Sequence, residues 1–134
     1  MRLLALTTAA LLAAATPAAA ARPVGPGPVQ VVVPAGQYTV AFHLTPNLAS
    51  RTGTISVSLR RDSRPVAGAR VWMTVTMLNM NMGGFTVQLP ERTSGTYTRM
   101  FPVVGMSGRW GFRLDVRPAH GRAFSVALAD RMLG

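Results

Sequence analysis

The segment Met77-Leu78-Asn79-Met80-Asn81-Met82 places three thioethers within six residues and runs directly into Gly83-Gly84. Thioether sulfur is a soft, uncharged donor that favours Cu(I) over harder ions and binds it without losing a proton. Methionine is also a flexible filler of apolar cores, so a packing role competes with ligation. The interleaved asparagines oppose packing. A run alternating Met with Asn ahead of Gly-Gly reads as a loop leaving a strand, where an apolar cluster needs a reason of its own. Met106, flanked by Gly105 and Ser107, adds a fourth thioether, and His43 offers an imidazole nitrogen.

Other chemistries lack their residues. There is no cysteine, no paired carboxylate cluster and no Ser/His/acid order at a strand-to-helix elbow, so no nucleophile is set up. No glycine-rich phosphate loop sits between a strand and a helix. The four acids, Asp62, Glu91, Asp115 and Asp130, are scattered, which leaves a hard cation without a cluster of oxygen donors. The chain is expected to bind a ligand and not to turn one over.

Composition places these residues in an exported protein. Residues 1–21 carry one early charge, Arg2, then a Leu/Ala stretch and an Ala-x-Ala site near Ala18 to Ala20, the pattern of a secretory signal peptide. The stretch is too short for a good membrane span, and no cysteine follows it, which argues against a lipid anchor and against stable membrane insertion after cleavage. The expected location is the periplasm or the medium. All fourteen basic residues are arginine, and the net charge is +10. Such a charge suggests nucleic acid in a cytoplasmic protein, but export and the lack of aromatic residues interleaved with arginine argue against that partner. A solvated basic surface is the expectation.

Residues 22–36 are rich in proline and glycine and read as an extended tether. Residues 37–134 read as one domain held by packing alone, with no disulfide available. Every recognisable segment there has a period of two. Strands are expected over Tyr38 to Leu44, Thr54 to Arg60, Ala69 to Thr76, Phe85 to Leu89, Thr96 to Phe101, Arg109 to Arg117 and Ala123 to Leu128. In the fifth, Tyr97, Arg99 and Phe101 share a face, which suggests a bulge. Trp72 and Tyr97 are compatible with the core. Seven short strands without helical periodicity predict an all-β, immunoglobulin-like antiparallel β-sandwich.

Four pieces of the chain, in order, resemble a known family. Pro65-Val66-Ala67-Gly68-Ala69-Arg70-Val71, Met77 to Met82 with Gly83, Gly95-Thr96-Tyr97, and Gly105-Met106-Ser107-Gly108-Arg109-Trp110 are similar to the YtkA-like domains and the related FixH proteins. The resemblance covers about Tyr38 to Arg117. It implies a small exported or membrane-anchored β-sandwich linked with copper handling or with assembly of copper-containing oxidases. FixH-type members usually carry an N-terminal membrane helix. The cleavable signal here points instead to a free periplasmic copper-binding module.

In a sandwich of seven sequential strands the first, third and fifth connections share a pole. That brings together Met77, Met80 and Met82 from one connection, Met106 from another, and His43 near the end of the first strand. These five are the expected metal ligands. His43 has the parity of Thr39 and Ala41, so it needs strand twist to reach them. His120 lies at the opposite pole, Met73 and Met100 are assigned to the core, and Met132 to a frayed end. Two functions follow: a Cu(I) holder or carrier serving a copper-handling protein, oxidase or exporter, or an assembly module, as in FixH-like oxidase assembly, whose methionine loop packs on a partner.

Overall fold

The computed structural model describes residues 19–20, 28–49, 51–80, 82–101 and 105–133. It is all-β. The strands are β1 (Ala19–Ala20), β2 (Val29–Ala35), β3 (Tyr38–Thr45), β4 (Gly53–Arg61), β5 (Arg64–Pro65), β6 (Arg70–Met77), β7 (Met82–Leu89), β8 (Glu91–Thr93), β9 (Thr96–Phe101), β10 (Gly108–Arg117) and β11 (Phe124–Met132). One sheet has the order β1-β11-β10-β6-β7 and the other β2-β3-β4-β9-β8, with β5 pairing β4. All pairs are antiparallel except the short β1–β11 contact.

The period of two decides which face of each strand is buried. Val71, Met73 and Val75 on β6, Phe112, Leu114 and Val116 on β10, and Val126 and Leu128 on β11 line the inner face of the first sheet. Val40, Phe42 and Leu44 on β3 with Ile55, Val57 and Leu59 on β4 line that of the second. Phe42 and Phe112 meet between the sheets with ring centroids 5.3 Å apart. The two-sheet sandwich expected from the alternation is therefore present, with β7 paired to β6 on the side of β10 and β11.

Several expectations need correction. Residues 29–35, assigned to the tether, form β2, an edge strand in continuous register with β3 from Val29↔Leu44 to Ala35↔Tyr38. Its prolines, Pro28 and Pro34, lie before the strand and near its end, where an edge tolerates a missing N–H. Residues 22–27 and most of the signal segment lie outside the described residues. No bulge interrupts β9 along β4. Arg99 keeps the parity of Tyr97 because its guanidinium reaches past the sandwich edge to the Gln88 carbonyl on β7, at 3.1 Å. Trp72 is exposed, as are Val32 and Met100, while Trp110 is buried. Met100 pairs with Thr54 on the outward-facing parity of β9, which removes it from the core.

The passage from β5 to β6, residues 66–69, carries the chain from one sheet to the other and has no ladder partner for its backbone groups. Side chains supply them. The buried Tyr97 hydroxyl donates to the Val66 carbonyl at 2.8 Å and accepts from the Ala69 N–H at 3.0 Å. The Glu91 carboxylate accepts from Gly95 at 3.0 Å and from Gly68 at 3.1 Å. Those two N–H bonds, Gly95 first, hold the Glu91 carboxyl below its ordinary pKa of 4.5.

Tyr97→Phe leaves the Val66 carbonyl and Ala69 N–H without their partner, and denaturant unfolding is expected to show a loss of about 1–3 kcal/mol. For Glu91, a folded-state pKa below the unfolded one means that ionised carboxylate contributes stability above about pH 4.5, lost as pH falls through the lowered folded value. Glu91→Gln is expected to remove that part of the acid sensitivity. Identical pH dependence of the urea midpoint in parent and variant would contradict it.

Candidate metal centre

At one end of the sandwich the ladder register sets a row of residues side by side. Across β11, β10, β6 and β7 it runs Asp130↔Trp110, Trp110↔Met77, Met77↔Met82. One step nearer the end, Met132 pairs with Gly108. The β6–β7 turn folds over this end and is tied to β10 twice: Leu78 N–H donates to the Arg109 carbonyl and Arg109 N–H donates to Asn79 Oδ1, each at 2.8 Å. Trp110 Nε1 donates to the Met106 carbonyl at 3.1 Å, which fixes the approach to β10.

The turn is tighter than the sequence suggested. β7 begins at Met82, and the register between Val75↔Phe85 and Met77↔Met82 sets Gly83 and Gly84 against Thr76 alone. That is a bulge of two residues opposite one. A side chain at Gly84 would collide with the Val75 carbonyl oxygen, so the glycine permits close backbone approach and is not a flexible hinge.

The five expected ligands divide. Met77, Met80 and Met106 share this pole. Met77 is buried at 6 % exposure, and its Cε lies over Gly108, 2.9 Å from where a Cβ would stand. Met80, in the turn, and Met106, before β10, are 45 % and 40 % exposed, so burial does not explain either. Met82 joins them by backbone register with Met77, and its side chain lies outside the described residues. His43 stands apart. It pairs with Gln30 and Ser56 on the parity opposite Phe42 and Leu44, which puts it on the outer face of the second sheet, half-buried.

Three residues at this pole carried no warning of their place. Met132, assigned to a frayed end, is 1 % exposed: β11 runs four residues past Leu128 and keeps its inward parity. Asp130 follows the same parity and is 3 % exposed, with neither carboxylate oxygen bonded. Asn47, wholly buried in the β3–β4 connection, donates from Nδ2 to the Arg131 carbonyl at 3.2 Å and leaves its Oδ1 unbonded. Burial pushes the Asp130 carboxyl above its usual pKa, only partly offset by a backbone N–H at Arg131. The alternation Phe124, Val126, Leu128 extended to Asp130 and Met132 was the signal available, and the charge on Asp130 masked it.

Among the described residues no three His, Cys, Asp or Glu side chains group together. A metal held here would rest chiefly on thioethers, with Asp130 as the nearby oxygen. No known family model, characterised protein or solved structure matches this chain.

Because Asp130 is a buried acid with no bonded partner, Asp130→Asn is expected to stabilise the metal-free protein at neutral pH, by about 1 kcal/mol. A lowered urea midpoint for the variant would contradict the assignment of an uncompensated carboxylate.

Proposed function

We propose that this is an exported copper-binding protein, periplasmic or secreted, that holds or passes on Cu(I) through methionines at one pole of a YtkA-like sandwich. The observation that carries this reading is the meeting of Met77, Met80 and Met106, from two segments distant in sequence, at a pole where two of the three are exposed. Exposed thioethers held on a pinned turn suit a reversible soft-metal site. Met82 completes the set through its register with Met77. His43, on the outer face of the second sheet, is left out of the inner set. The copper donor or recipient would be a copper-handling protein, an oxidase or an exporter component.

A second reading, an assembly module that docks on a partner protein, draws on the half-exposed Leu78 beside Met80 and Met106. Flexible methionines suit such a surface. One titration separates the two. The copper reading expects stoichiometric binding of Cu(I) or Ag(I) and poor binding of Zn(II). Replacing both Met80 and Met82 with Leu is expected to abolish Cu(I) affinity while stability stays within about 1.5 kcal/mol. Met73→Leu, buried on β6 opposite Leu114 and Val87, is expected to bind as the parent does. Parental affinity in the Met80/Met82 double variant would leave the methionine turn as a packing surface.

A further inference from the structure

Thioethers are neutral, so a monovalent ion held by them alone keeps its full charge as it leaves water. Burying an uncompensated charge is costly. The cost is greater in a chain of net charge +10. Of the four acids, Asp115 is bonded to Arg113 and Ser125 on the outer face, Glu91 to Gly68 and Gly95, and Asp62 lies in the β4–β5 turn. Asp130 alone lies at the methionine pole, turned inward and without a partner.

The surroundings of Asp130 are short of donors. The Asn47 amide is oriented by its Nδ2 bond to the Arg131 carbonyl, so its Oδ1 is an acceptor with no donor at the same corner. Three buried acceptor oxygens therefore belong to one corner: two on Asp130 and one on Asn47. Buried polar atoms are nearly always satisfied, and a set made only of acceptors calls for a cation or a proton.

Soft donors stand next to these oxygens. Met132 follows Asp130 by two residues on the same face of β11 and is fully buried. Its partner across β10 is Gly108, which has no side chain to fill the interval, and the Met77 Cε lies over that same glycine from the other side. With strands about 4.8 Å apart, Met132 and Met77 flank Gly108 from adjacent positions.

We propose that the inner metal site is formed by Met77, Met132 and Asp130 around Gly108, with the Asp130 carboxylate supplying the counter-charge and an oxygen donor for a soft monovalent cation. Met80 and Met106 then form the exposed rim through which the ion enters. This rests on the copper reading and deepens it: the ion is compensated on binding, and Met132 and Asp130 join the ligand set.

The test is competitive Ag(I) titration of the purified protein and of Asp130→Asn, Met132→Leu and Met73→Leu, with Cu(I) X-ray absorption of the parent and of His43→Ala. Asp130→Asn and Met132→Leu are each expected to lose at least about tenfold in Ag(I) affinity, or about 1.4 kcal/mol. Met73→Leu is expected to match the parent. The Cu(I) spectrum is expected to contain one oxygen or nitrogen neighbour beside sulfur, and to keep it in His43→Ala, which assigns it to the carboxylate. Circular dichroism of each variant checks that the sandwich is intact. If the parent takes up Ag(I) and the Asp130 and Met132 variants bind within twofold of it, the inner site is overturned while the copper reading stands. An all-sulfur Cu(I) shell overturns Asp130 as a donor in the same way. A parent that takes up no Ag(I) overturns both.

Discussion

Burial of two period-two apolar faces against each other is the constraint on which everything else in this chain depends. There is no cysteine, and among the described residues there is no helix to cover a sheet. Each sheet can remove its inner face from water only by meeting the other, through contacts such as Phe42 on Phe112. Once the sheets are face to face, the ladder register places residues far apart in sequence. Met77, Trp110 and Asp130 become neighbours because β6, β10 and β11 must pair to complete one inner face.

The two ends of the sandwich are built differently. At one end the chain must cross between sheets, and Tyr97 and Glu91 hold the crossing by satisfying the backbone of residues 66–69 and Gly95. Every polar group named there has a partner. At the other end, the turn after β6 and the approach to β10 are also pinned, but Asp130 and Asn47 are left with bare oxygens. Such orphaned groups cost stability and persist most readily where function repays them. The asymmetry is the structural basis for placing a ligand at the methionine end.

How much was legible depended on whether the signal was local. The alternation in Val71 to Met77, Trp110 to Val116 and Phe124 to Leu128 is local, and those strands and their buried faces were readable from it. The proline and glycine content of residues 22–36 misled for Val29 to Ala35, because an edge strand tolerates prolines that a central strand would not. Met100 and Trp72 looked like core residues by type, yet their parity turns them outward.

By itself the sequence determined the period of two, and so the all-β class, and the concentration of thioethers in one turn. Both are properties of adjacent residues. Which thioethers share a pole with which polar groups was decided only by the tertiary structure, through the register of β6, β10 and β11. That register set Met132 against Gly108 and turned Asp130 inward. It also left His43 on the outer face of the other sheet. Position along one strand fixes a side chain's face, but only the pairing of strands fixes its neighbours across the sheet.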